Sequence, residues 1–111
     1  MGNRNEQRFI VQEPEKLQIT VNIKNSILLL NLSHSGAALH FSEKTDFDKD
    51  DLVLLHIKRL DNETEIQLPA KVIWVIVDTI GVQFVQIDEE SNNKIDGIIK
   101  DLKGYYKESR R

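Results

Sequence analysis

Leu17-Gln18-Ile19-Thr20-Val21-Asn22-Ile23-Lys24 alternates apolar and polar residues without a break. A period of two marks a strand with one face buried and the other in water. This stretch therefore predicts a half-buried β-strand, and the pattern continues downstream. Asn25-Ser26 reads as a turn, Ile27–Leu32 as a β-rich run and Ala37–Phe41 as the strand returning from it. Ser42–Asp51 is a polar, acidic loop around Phe47. Leu52–Leu60 sets Val53, Leu55 and Ile57 on one face and leads into a hairpin loop at Asp61-Asn62-Glu63. Ile66–Val77 predicts a long strand with Ile66, Leu68, Ala70, Val72 and Trp74 on one face, and Pro69 marks an edge or a bulge within it. Asp78-Thr79 turns the chain into Ile80–Ile87.

From Asp88 the period changes to about 3.6. Ile95, Ile98, Ile99, Leu102 and Tyr106 then form one apolar stripe, with Asp88 or Ser91 placed to cap the helix. Gly97 and Gly104 weaken such a helix by roughly 1 kcal/mol each relative to alanine, so the stripe needs a sheet to pack against. The expectation is a mainly β fold: six antiparallel strands closed into a small barrel, which removes exposed edges, followed by one C-terminal helix. Residues 1–15 form an N-terminal arm, 16–87 the barrel and 88–111 the helix and tail of a single domain.

Composition narrows the function. The 111 residues are 40% hydrophobic and 30% charged, an ordinary balance for one soluble domain. The chain has no cysteine, which excludes disulfides and thiolate metal sites and fits a reducing, cytoplasmic setting. The polar start, Met1 to Gln7, lacks a signal-peptide core. The run Ile27–Leu30 is too short to span a bilayer, so no membrane insertion is expected. A net charge of −3 argues against a nucleic-acid polymer as partner, because such binders neutralise many phosphates.

Catalytic and metal chemistry find little support. Ser33-His34-Ser35-Gly36 is not a nucleophile elbow, and neighbours on a strand point to opposite faces. Asp46-x-Asp48-x-Asp50 resembles the start of a calcium loop, but Asp51 and Ile57 stand where glycine and glutamate are needed. His34, His40 and His56 lack metal-ligand spacing. No glycine-rich nucleotide loop is present, so neither an enzyme nor a cofactor is indicated.

Two polar motifs remain, Arg4-x-x-x-Arg8 and Asn31-x-Ser33-x-x-Gly36. Arginine offers two parallel hydrogen bonds to phosphate or to a guanine edge, and its plane stacks on bases. Asparagine can read a guanine edge, serine can donate to phosphate, and glycine lets backbone approach a ligand. Singly, each motif is more simply a pair of solvated arginines and a turn.

In this order, and within this strand pattern, they resemble the PilZ domain family, bacterial receptor modules for cyclic di-GMP whose motifs are R-x-x-x-R and D/N-x-S-x-x-G. Lys71-Val72-Ile73-Trp74, Gly81-Val82-Gln83-Phe84 and the C-terminal helix extend the resemblance over nearly the whole chain. It implies a six-stranded antiparallel barrel with a C-terminal helix. It also implies that Arg4 and Arg8 reach over the ligand, that Asn31 reads guanine, that Ser33 contacts base or phosphate and that Gly36 permits close approach. Trp74 resembles a strand tryptophan that lies against a base in some relatives; a barrel-face aromatic is the equal alternative. The implied function is a non-enzymatic cyclic di-GMP receptor whose arm orders on binding and which signals to a partner protein. The alternatives are a ligand-independent interaction module on the same barrel and, more distantly, a barrel for single-stranded nucleic acid.

Overall fold

The computed structural model describes residues 9–11, 14–22 and 24–109, with side chains for all of these except 14, 25 and 102–109. Arg4 and Arg8 lie outside the described residues. In chain order the elements are β1 (Phe9–Ile10), a 3-10 turn at Pro14–Lys16, β2 (Leu17–Val21), β3 (Lys24–Leu32), β4 (Gly36–Phe41), β5 (Leu52–Arg59), β6 (Glu65–Ile76), β7 (Thr79–Phe84) and α1 (Glu89–Ser109).

Six strands form a closed antiparallel ring in the order β3-β2-β5-β6-β7-β4, and the β4–β3 pairing shuts it. The two residues of β1 add to the outside of β3. The barrel with a C-terminal helix is therefore the architecture that the alternation predicted. Its interior is mostly aliphatic, with Phe41 and Phe84 among the buried residues, and Leu29, Leu39, Leu55, Leu68, Ile80 and Val82 are almost wholly excluded from water. Burying one such side chain contributes about 1.5–3 kcal/mol.

The helix plugs one end of the barrel. Asp88 supplies the cap: its Oδ1 accepts from Ser91 N at 2.8 Å. Ile95, Ile98 and Ile99 enter the core, and Lys94 Nζ donates to the carbonyl of Glu65 at the start of β6 at 3.0 Å. Arg59, at the end of β5, is buried with its guanidinium between Asp61, at 2.8–3.0 Å, and Asp101 of the helix. The same end of the barrel carries the β3–β4 connection at residues 33–35.

Three details depart from the alternation. The first turn comes earlier than Asn25-Ser26: β2 ends at Val21, and Asn22 takes a left-handed φ of 55°. Asparagine tolerates that conformation. Asn22 is also locked to β5, its N–H donating to Leu54 O and its Oδ1 accepting from Leu54 N, both at 2.9 Å. Pro69 lies inside β6, and its carbonyl accepts from Val85 N just beyond the end of β7, so its missing N–H interrupts no ladder.

The third departure moves Trp74. The β6–β7 register slips by one residue between Val72 and Trp74. Ile73 is the extra residue, and the bulge turns Trp74 away from the face of Ile66, Leu68, Ala70 and Val72 to the outside of the barrel.

Candidate functional site

Strand β3 contains a second bulge. Its register with β4 slips between Leu29 and Asn31, with Leu30 as the extra residue. Strict alternation would send Asn31 inward with Leu29. The bulge sends it outward, opposite Ala38, while Leu32 resumes the inward face opposite Ala37. Between the two bulged strands, β4 and β7 pair without a slip.

The consequence is one row across four strands on the outer face: Asn31 opposite Ala38, Ala38 opposite Gly81, and Gly81 opposite Trp74. These two register slips both fall at this row; a third lies between β2 and β3, at Ile19/Val21. Its middle is floored by the two smallest side-chain types. The Trp74 indole lies over Gly81 so closely that a Cβ there would sit 2.2 Å from its Cε2. Trp74 nevertheless remains 38% exposed. The next row toward the helix end holds Gly36, Gln83 and Lys71, and the row beyond on the other side holds Leu28, His40, Thr79 and Ile76.

The motif turn is held from within. Ser33 is fully buried; its Oγ accepts from Ser35 N at 3.3 Å and Gly36 N at 3.1 Å and donates to Gly36 O at 3.3 Å. Phe84 N donates to Ser35 O at 2.7 Å and ties the turn to β7. A serine three residues before glycine thus shapes the backbone of the turn through its hydroxyl. Gly36 opens β4 on the outer face, one row from Asn31 and Ala38. His34 projects from the turn to Asp96 of the helix, with Nε2 3.3 Å from Oδ1. The Asp96 carboxyl is held below its ordinary range by the Lys100 ammonium first and by His34 second.

Asn31, Gly36 and Trp74 are thus brought to one outer face, with Ser33 beneath it. Arg4 and Arg8 lie outside the described residues, but Phe9, the next residue after Arg8, pairs with Leu32, and Ile10 pairs with Asn31. Sequence reasoning missed Ala38, Gly81, Gln83 and Lys71 as parts of this face. The signal available for two of them was small residues inside strands, which mark close approach of another group. Among the described residues no cluster of histidine, aspartate and glutamate is suited to a metal ion, and no helix is long and apolar enough to cross a membrane. A cleft lined by Lys24, Ser26, Phe41 and Thr45 lies at the opposite end of the barrel and contains none of the motif residues.

The PilZ domain family model matches residues 2–101. The chain belongs to the PilZ domain family. Solved structures share the fold. An uncharacterized Legionella protein is 21% identical, with a TM-score of 0.64, and the match covers 91% of this chain and 98% of that one. Escherichia coli YcgR, solved in complex with c-di-GMP, is 14% identical with a TM-score of 0.74, covering 97% of this chain and 49% of that one. The Bacillus subtilis inhibitor of motility, MotI/DgrA, is 15% identical with a TM-score of 0.70, covering 91% and 51%. This PilZ domain thus spans about half the length of the last two. No curated protein sequence matches the chain.

Proposed function

We propose that this PilZ domain is a cyclic di-GMP receptor that signals to a partner protein. The observation that carries the reading is the row Asn31–Ala38–Gly81–Trp74. It sets the Asn31 amide, suited to a guanine edge, and an exposed indole that lies over Gly81 on one outer face, with the small Ala38 between them. Membership of the family, and a fold shared with YcgR in its complex with c-di-GMP, support the choice of ligand. In this reading Asn31 bonds a guanine edge and Trp74 lies against a base. The backbone at Gly36 approaches a phosphate, and Ser33 acts by holding that backbone in place.

Arg4 and Arg8 supply the cationic side. Phe9, which follows Arg8 in the sequence, pairs with Leu32. Arginine forks over the ligand would complete the site and order the arm, a switching mode that other proteins use. The ordered surface then becomes the signal read by the partner. The chemistry is binding without catalysis.

Trp74 is the chain's one tryptophan, so its fluorescence reports directly on this row. Titration with cyclic di-GMP is expected to change Trp74 emission and to release heat in the calorimeter. Arg8→Ala is expected to weaken binding by about 1–3 kcal/mol, the value of a bidentate contact. No heat and no emission change at high micromolar ligand would sink the receptor reading. Partner capture indifferent to the nucleotide would favour the ligand-independent module instead.

A further inference from the structure

The cleft at the end of the barrel away from the motif turn has a construction of its own. It forms where β3 begins and β4 ends. Ile19 pairs with Ile27 and then Val21 with Lys24, so Asn25 and Ser26 together face Thr20 across the third bulge. Ser26 takes a left-handed φ of 62° there. Alternation counted back from inward Ile27 would send Lys24 outside. The extra residue instead sets Lys24 opposite buried Val21, on the side of the barrel mouth. On the other wall the chain leaves β4 and arches through residues 42–44. Phe41 N donates to Asp78 O at 2.8 Å and Thr45 N to Val77 O at 3.3 Å, so the β6–β7 turn pins both feet of the arch.

The cleft has a volume of about 290 Å³. Pockets for drug-sized ligands run from about 300 to 1,000 Å³, so this one suits a smaller guest. Its lining carries Lys24 and Lys44 and the hydroxyls of Ser26, Ser42 and Thr45. Lys58, Lys71, Lys94 and Lys100 each pair with a carboxylate. Lys24 and Lys44 form no ion pair among the described residues, although Glu43 lines the same cleft. Two ammonium groups and one carboxylate leave the lining net positive, in a chain whose net charge is −3. Thr45 gives an independent sign. It is 7% exposed, and its Oγ1 is shut off from solvent and has no hydrogen-bond partner among the described residues. A buried hydroxyl without a partner is costly, and most such groups in folded proteins have one.

We propose that this cleft is a binding site for a small oxyanion, inorganic phosphate or a short phosphate monoester, separate from the face that carries Asn31 and Trp74. Lys24 and Lys44 close on the anion from the two walls, each ammonium a compact charge with three donors. The Thr45 side chain turns about its Cα–Cβ bond to another staggered position and donates to one of the anion's oxygens, which gives the hydroxyl the partner it lacks. Glu43 limits the negative charge the site accepts, so a single phosphate group is favoured over a polyphosphate. An anion seated here ties the start of β3 to the segment after β4, and it stabilises the folded chain by mass action. The site does not require cyclic di-GMP to be bound.

The test is a titration of the full chain with sodium phosphate and, separately, with glycerol phosphate, followed by amide chemical shifts, with sodium chloride holding the ionic strength constant. Saturable shifts are expected at Lys24, Ser26 and residues 41–45, together with a thermal midpoint that rises with the anion. Lys24→Gln and Lys44→Gln are each expected to weaken binding about two- to fivefold, and Glu43→Gln to strengthen it. Thr45→Val keeps the shape of the side chain and removes the hydroxyl. It is expected to be at least as stable as wild type without the anion and to lose most of the anion-dependent rise in midpoint. Saturation by either anion supports the site, and the one that saturates it names the ligand as the free ion or the ester. Shifts no larger than those chloride produces, shifts centred on Asn31 and Gly36, or an affinity unchanged in both lysine variants overturns the proposal and leaves the receptor reading standing.

Discussion

Strands β4 and β5 belong to the same ring but differ in how they use their outer faces. Along β5, buried Val53, Leu55 and Ile57 alternate with outward Leu52, Leu54, His56 and Lys58, which are long and at least partly exposed. Along β4 the outward residues are Gly36, Ala38 and His40, and only His40 escapes burial. The ladders differ as well. β5 pairs with β2 and β6 without a slip, whereas the partners of the β4–β7 pair, β3 and β6, each slip by one residue at the same level. The regular side behaves as scaffold. The irregular side spends its regularity on aiming Asn31 and Trp74 outward over small residues.

The sharpest attempt to break this contrast fills the floor. Gly81→Val puts side-chain atoms where the Trp74 indole lies. It is expected to destabilise the protein by about 1–3 kcal/mol as overpacking and to move Trp74 emission. Urea unfolding followed by fluorescence reads both, and an unchanged midpoint and spectrum would show that the row is not packed as described.

Ser33→Ala comes next. It leaves Ser35 N–H and Gly36 N–H without their hydroxyl acceptor in a buried turn. The expected cost is about 1–2 kcal/mol in thermal or urea unfolding. A larger loss in ligand affinity than in stability would assign Ser33 a direct contact as well.

Val77→Gly probes the other turn of the irregular side. Val77 holds a left-handed φ of 53° while exposed, and its carbonyl accepts from Thr45 N at 3.3 Å. Glycine removes the steric penalty of a branched side chain there, so a gain of up to about 1 kcal/mol is expected. A loss would mean that the valine methyl groups stabilise the turn.

The smallest effect is expected on the regular side. Leu52 is 73% exposed on β5. Leu52→Lys should shift stability by no more than about 0.5 kcal/mol and leave the cyclic di-GMP titration unchanged. A large effect would make β5 part of a functional surface and erase the contrast.

Much of this was legible in the chain. The alternation through Leu17–Val21, Leu52–Arg59 and Glu65–Val72 matches the burial found there, because a strand half in water must alternate. The isoleucines at 95, 98 and 99 fall on the buried stripe of the helix because their spacing is helical. Asn31, Ser33 and Gly36 were legible as a group by residue type, since few other residues make such a turn. The burial of the Ser33 hydroxyl was not, because nothing local distinguishes a serine facing solvent from one folded under its own turn. Gly81 and Ala38 were illegible as a floor, because their role exists only beside a tryptophan from another strand.

The sequence by itself determined the strands, the helix, the closure they require and the kinds of donor the site can offer. Only the tertiary structure decided which way Asn31 and Trp74 face. Read by alternation, both belong inside with Leu29 and Val72. The direction of a side chain on a strand depends on counting residues from the last paired position. One extra residue, Leu30 on β3 and Ile73 on β6, reverses that count. Whether a residue is extra is settled by the neighbouring strand it pairs with, and local propensity carries no record of that neighbour.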